Sequence, residues 1–301
     1  MTVRAFHDLP APCKINAFLH VVGRREDGYH LLQSPFILLD WTDTLHVERR
    51  EDGVLRRHDL SEPLPAEDLC LKAARALKKA SGCPLGADIH ILKRVPWGAG
   101  LGGGSSDAAT VLLALNRLWG LGWPRDRLAA LALTLGADVP FFVGGRNAFV
   151  EGIGERLTPI EWPLAWYALL KPPPAIPTAT IFGDPALVRD TEAVILLGSL
   201  AADQSRPNEA DRQVAQWVEG FGRNDLQGPA RRHCPEVDQA CRWLEARFGN
   251  SRMSGSGSTV FARAGTGDQP MATFPADALP PGWVGRMCRS LPHHPLVGWA
   301  D

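Results

Sequence analysis

Between Pro96 and Thr110 the chain reads Pro-Trp-Gly-Ala-Gly-Leu-Gly-Gly-Gly-Ser-Ser-Asp-Ala-Ala-Thr, with five glycines in the seven positions 98–104. Glycine reaches backbone angles that other residues avoid and lets main-chain N–H groups approach a ligand closely. The preceding segment Ala87–Val95 alternates like a strand, and Ser105–Trp119 places Ala108, Val111, Leu112, Leu115 and Leu118 on one helical stripe. The order is therefore strand, glycine loop, helix. The first turn of such a helix offers unpaired N–H donors and the positive end of a dipole, which together bind phosphate. Ser105 or Ser106 is expected to cap the helix, with Asp107 in its first turn, where a carboxylate is favoured.

Two familiar phosphate loops do not fit. Gly98, Gly100 and Gly103 match G-x-G-x-x-G, but a second helix, Arg125–Leu135, follows where a dinucleotide fold needs a strand ending in an acidic residue. No Gly-Lys-Ser or Gly-Lys-Thr closes the glycines, which excludes the ATPase P-loop. A glycine-rich turn that binds nothing would cost chain entropy for no return.

Elsewhere, residues 12–22 and Ile37–Arg50 read as strands, Leu69–Ala80 as a helix, and Asn147–Gly152 as a short strand. After a break near Pro159–Pro163 come a strand at Trp166–Lys171, the stiff Lys171-Pro172-Pro173-Pro174, helices near Glu209–Gly220 and Val237–Phe248, and a strand at Ser258–Ala264. The pattern is α+β in two lobes, divided as residues 1–160 and 161–301. The segment from Gly265 onward carries little signal.

Composition bounds the partners. Of 301 residues, 45% are hydrophobic and 22% charged, with a net charge of −1, so nothing marks a nucleic-acid surface. No apolar run reaches membrane-spanning length, and Met1–Pro12 lacks the form of a signal peptide, which predicts a cytoplasmic protein. The six cysteines contain no Cys-x-x-Cys and read as reduced thiols. His293-His294 is expected to be a pair of surface histidines rather than a metal site.

Pro-x-x-x-Gly-Leu-Gly-x-Gly-Ser-Ser-x-Ala-Ala resembles the ATP loop of the GHMP kinases. Four further segments fall in that family's order: Pro12-Cys13-Lys14-Ile15-Asn16 running on to Asp27-Gly28-Tyr29-His30; Gly136-Ala137-Asp138-Val139-Pro140-Phe141-Phe142; Ile176-Pro177-Thr178 with Phe182; and Ser254-Gly255-Ser256-Gly257-Ser258. They are similar to the branch that serves the non-mevalonate route to isoprenoids, whose acceptor is a cytidine diphosphate polyol. The resemblance implies a ribosomal-protein-like N-terminal lobe, a ferredoxin-like C-terminal lobe and an active site between them. It also implies ATP and Mg²⁺ as cosubstrates, with Pro96, Trp97, Gly98, Ala99, Gly100, Leu101, Gly102, Gly103, Gly104, Ser105 and Ser106 around the triphosphate.

On the residues alone, Asp138 reads as a turn cap and Lys14 as a solvated strand lysine. The resemblance makes Asp138 the base and Lys14 its hydrogen-bonded cationic partner, and alternation puts Lys14 and Asn16 on one face of their strand, opposite Cys13 and Ile15. It likewise has Tyr29 and Phe182 sandwich cytosine, His30 and Thr178 bond its polar edge, and Asn16 sit near the polyol hydroxyls. Asp107 stands where the family also uses Asn, which leaves the Mg²⁺ ligands open. Oligomeric state is not legible. The competing readings are another small-molecule GHMP kinase, an inactive nucleotide-binding sensor and, more remotely, a nicotinamide-dependent oxidoreductase.

Overall fold

The computed structural model describes residues 3–196, 207–274 and 279–301. The first lobe runs β1 (Ala5–Asn16), β2 (His20–Arg24), β3 (His30–Arg50), β4 (Leu55–Asp59), α1 (Leu69–Ser81), β5 (Gly86–Leu92), α2 (Gly103–Leu118), α3 (Arg125–Leu133), α4 (Val139–Gly144), β6 (Ala148–Gly152) and β7 (Arg156–Pro159). Its spine is β3. The C-terminal part of β3 lies between β1 and β5, and its N-terminal part lies between β2 and β6. Every pairing in the sheet is antiparallel except β4 with β5.

Local chemistry sets the helix ends. Asp68 caps α1 by accepting from the Leu71 N–H at 3.0 Å, and Gly82 ends the helix in the left-handed conformation at φ 66°. Helix α2 is buried on nearly every side, Ala108, Ala109, Val111, Leu112, Leu113, Ala114 and Leu115 all being at most 1% exposed. The sequence stripe understated this, because α2 is sandwiched between the sheet and the α1 and α4 helices. The expected strand at 12–22 is in fact two strands. At Ala17–Leu19 the chain leaves the sheet pairing, and the Leu19 N–H donates to Arg223 O at 2.9 Å, tying it to the second lobe.

The second lobe contains β8 (Trp166–Lys171), α5 (Thr178–Phe182), α6 (Pro207–Val218), α7 (Gln227–His233), α8 (Pro235–Phe248), β9 (Arg252–Met253), β10 (Val260–Arg263) and β11 (Val284–Arg289). The strands form an antiparallel sheet in the order β11-β8-β10-β9. The segment after Gly265, silent in the sequence, supplies β11 and then returns to the first lobe. There the buried Leu296 and Ala300 join the core under α2 and α3. His294 is accordingly buried, not a surface residue as expected; the Leu296 N–H donates to its Nδ1, and burial pulls its pKa down to about 3. His293 is exposed.

The two lobes share an apolar core. Cys13, Ile15, Phe18, Ile37 and Leu39 from the first sheet pack with Tyr167, Leu169, Trp217 and Phe261 of the second lobe. All six cysteines are free thiols. Among the described residues no helix is long and apolar enough to cross a membrane.

Candidate active site

The glycine loop joins β5 to α2. Gly98, Gly100 and Gly102 have φ of 63°, 74° and 69°, in the left-handed region. At two of them contact adds to conformation: a Cβ on Gly100 would lie 2.2 Å from the Ser254 carbonyl oxygen, and one on Gly102 would lie 3.0 Å from the Phe142 ring. The loop is clamped from both sides. Lys14 N–H donates to Leu101 O at 2.9 Å, Ser254 Oγ donates to Gly100 O at 2.9 Å, and Thr259 N–H donates to Ala99 O at 3.2 Å. Segment 254–258 is therefore a buttress of the loop. Ala99 and Leu101 are buried, Pro96 half-buried and Trp97 exposed at the rim.

The N-cap of α2 is Gly102, which lacks a side-chain cap bond, and the helix starts at Gly103. Ser105 and Ser106 thus lie inside the first turn and do not cap it. Gly103 and Gly104 accept helical angles, so the helix extends two residues further toward the loop than expected. Ser106 Oγ is buried without a hydrogen-bond partner. Asp107 is not at the dipole end but buried beneath the loop, where its carboxylate accepts from Lys93 Nζ at 2.6 Å. Lys93 also pairs with the fully buried Asp43, which accepts from the Arg94 and Val95 N–H groups at 2.5 and 2.8 Å. Burial works against the Lys93 ammonium, but the two carboxylates outweigh it and hold its pKa above the usual lysine value; burial pushes the Asp107 carboxyl up.

Lys14 and Asn16 face the cleft together, while Cys13 and Ile15 enter the core behind. Lys14 is 3% exposed, and its Nζ lies 3.7 Å from Asp138 Oδ2. That is an ion pair, longer than the expected hydrogen bond. The ammonium instead donates to Asn16 Oδ1 at 2.6 Å, and Asn16 Nδ2 donates to Ser34 Oγ at 2.8 Å. The Phe36 ring sits 4.3 Å from Nζ. Burial lowers the Lys14 pKa and the Asp138 charge opposes that shift. Asp138 precedes α4, but its side chain makes no capping bond there and remains about one-third exposed. The carboxylate is left free toward the cavity, which has a volume of about 250 Å³ and is also lined by Gly98, Gly100 and Gly102.

A second cavity adjoins it, lined by Tyr29, His30, Thr178, Phe182 and, again, Asp138. Tyr29 is 60% exposed on the turn after β2. The His30 and Phe182 rings lie 5.0 Å apart and are tilted by 33°. Thr178 Oγ1 is 2.9 Å from Ser256 Oγ, which links this second cavity to the loop buttress. Arg189 Nε donates to His30 Nε2 at 3.0 Å. Residues Ser34, Phe36, Lys93 and Arg189 carry no motif in the sequence. They join the site only because remote segments fold onto it.

This geometry has counterparts. The GHMP kinases N terminal domain matches residues 68–146 and the GHMP kinases C terminal domain matches residues 208–270. A 4-diphosphocytidyl-2-C-methyl-D-erythritol kinase of Methylibium petroleiphilum is 63% identical over 301 residues, covering 100% of both chains. The chain belongs to the GHMP kinase family. A crystal structure of 4-(cytidine 5'-diphospho)-2C-methyl-D-erythritol kinase superposes with a TM-score of 0.69 at 39% identity, covering 85% of this chain and 90% of that one. A homoserine kinase from Cytophaga hutchinsonii shares the fold at a TM-score of 0.66 and 15% identity, covering 98% of this chain and 96% of that one. This GHMP kinase is thus an ATP-using phosphotransferase of mixed α+β architecture, and the glycine loop, the Lys14–Asp138 pair and the aromatic cavity meet in one cleft.

Proposed function

We propose that the enzyme transfers the γ-phosphoryl group of ATP to the 2-hydroxyl of 4-diphosphocytidyl-2-C-methyl-D-erythritol, a step in non-mevalonate isoprenoid synthesis. One observation carries the reading: Asp138 lines both the cavity beside the glycine loop and the cavity of Tyr29, His30 and Phe182. A base held in the second cavity and a triphosphate held at the first would bring acceptor and donor together at that carboxylate.

The roles follow from the chemistry. Loop residues 96–106 hold the triphosphate, with the free N–H groups at the start of α2 directed toward its charge. The acceptor oxygen forms its bond to phosphorus as the bond to ADP breaks, and Asp138 accepts the hydroxyl proton as this proceeds. Lys14, kept close by burial and by Asn16, offsets charge on the transferring group. Asn16 orients the polyol, and Tyr29 and Phe182 flank cytosine while His30 and Thr178 read its edge.

Mg²⁺ enters as part of the substrate, bound to ATP. Among the described residues no group of three or more His, Cys, Asp or Glu side chains is arranged to hold a metal. The unpartnered Ser106 Oγ and the neighbouring Ser105 hydroxyl suit an ion whose shell is completed by phosphate and water. We assign residues 1–160 to the ATP-binding unit and 161–301 to the C-terminal unit, with the two family matches falling one in each and the last residues, Leu296 and Ala300 among them, packed back into the core of the first. Free, mostly buried thiols accord with a reducing cytoplasm.

The test is coupled ADP release with ATP and Mg²⁺, comparing the cytidine compound with homoserine and mevalonate, for wild type and Asp138→Ala. Turnover with the cytidine compound alone, lost in the variant, is expected. Turnover with another alcohol would discard the cytosine cavity and keep the kinase.

A further inference from the structure

An arginine outside the lining of the aromatic cavity touches one of its lining residues, His30, and that contact bears on how a base is read. Arg189 Nε donates to His30 Nε2 at 3.0 Å. Its other nitrogens donate to the carbonyls of Phe182 at 3.0 Å, Asp184 at 2.9 Å and Leu187 at 2.9 Å. A guanidinium has only N–H donors and stays protonated, so the His30 nitrogen facing it must offer a lone pair. A neutral imidazole with a lone pair on Nε2 carries its proton on Nδ1. Among the described residues nothing bonds that Nδ1–H, so it is the ring nitrogen left for a ligand.

We infer that Arg189 is a positioning residue that locks His30 in the Nδ1–H tautomer and so makes the cavity select cytosine over uracil. The inference rests on the cytidine reading above. Cytosine presents acceptors at N3 and O2, whereas uracil presents a donor, N3–H, where cytosine accepts. A fixed N–H donor matches the first pattern and opposes the second. An unrestrained histidine would interchange tautomers and accommodate either base. The same arginine holds the backbone of Phe182, whose ring lies against His30, so the flanking ring and the edge-reading ring are set by one side chain. The charges facing His30 reinforce the neutral state. Burial first, then Arg189 and Arg24, lower its pKa.

The experiment has a structural arm and a kinetic arm, both on the full chain. Two-bond ¹⁵N–¹H correlation spectra of the unliganded protein, with His30 assigned by its loss in His30→Gln, should show the proton on Nδ1. In Arg189→Met the signal should move toward a mixture of tautomers. Kinetically, acceptors that differ only in carrying cytosine or uracil are compared. Wild type should favour cytosine by about tenfold or more in kcat/KM, the usual consequence of mismatching one buried hydrogen bond. Arg189→Met should erase most of that preference while the KM for ATP is unchanged. Arg189→Lys, which keeps a donor-only cation, should retain it in part.

A proton on Nε2 in the wild type overturns the inference outright. So does an Arg189→Met enzyme whose KM rises equally for both acceptors, which would make Arg189 a loop anchor only. Equal use of both acceptors by the wild type, with the tautomer locked, overturns the base reading itself and with it the selectivity assigned to Arg189.

Discussion

Lys14→Met separates catalysis from folding. The Nζ–Oδ2 separation of 3.7 Å corresponds to about 4.5 kcal/mol of attraction at an effective dielectric constant of roughly 20. Asp138 is about one-third exposed, so solvent screening reduces this to about 3 kcal/mol. The charge that builds on a phosphoryl group passing Asp138 would meet the ammonium at a similar distance. Losing about 3 kcal/mol there lowers kcat by about two orders of magnitude, within the range for removing one preorganised charge donor. Stability should change little. Methionine refills most of the volume, and removing a buried ammonium relieves its desolvation, which offsets the cost of leaving Asn16 Oδ1 without its donor. The KM for ATP should also hold, because Lys14 supports the loop through its backbone N–H to Leu101 O, which methionine retains. Coupled ADP release and thermal unfolding read the two effects. A loss of tenfold or less in kcat, in a folded protein, refutes an essential role for Lys14.

Three further outcomes follow from the same contacts. Lys93→Met strands the Asp43 and Asp107 carboxylates in the interior and should cost about 3–5 kcal/mol in urea unfolding, whereas Asp107→Asn, at a carboxyl whose pKa burial already raises, should cost far less. Gly104→Ala should leave stability equal or slightly higher, since its Cβ meets nothing closer than Leu69 Cδ1 at 3.9 Å, yet raise the KM for ATP; an unchanged KM would remove the start of α2 from the triphosphate site. Gly102 and Gly103 are poorer probes, because added bulk there meets Phe142 and Val95 at 3.0 and 3.1 Å. His294 is neutral in the fold down to about pH 3 but binds a proton near pH 6.5 when unfolded. The unfolded state therefore holds the extra proton between those values, and stability falls as pH drops through that window, by up to about 1.4 kcal/mol per unit. In His294→Leu the urea midpoint should depend less on pH there; an identical pH slope would contradict the buried neutral imidazole.

Elements whose signal is local are legible in neighbouring residues. The glycine run required left-handed angles and a close approach, and Gly98, Gly100 and Gly102 supply them. Apolar periodicity located α1, α2, α8, β5 and β8 to within a few residues, and alternation put Lys14 and Asn16 on one face of β1. The motif order gave the family. Tertiary structure decided what depends on distant segments meeting. The N-cap of α2 moved from the serines to Gly102, in a loop pinned by β1 and by Ser254. Asp107 turned from a dipole partner into one of three members of a buried ion cluster because β3 delivers Asp43 and the residue following β5 is Lys93. The chain after Gly265 shows no strong periodicity, yet it completes the second sheet and buries His294 in the first lobe. Arg189 has no motif around it, and only the fold sets its guanidinium against His30. Backbone conformation and amphipathic pattern are written in neighbouring residues, whereas hydrogen-bond partners and desolvation are properties of a surrounding that does not exist until the chain has closed on itself.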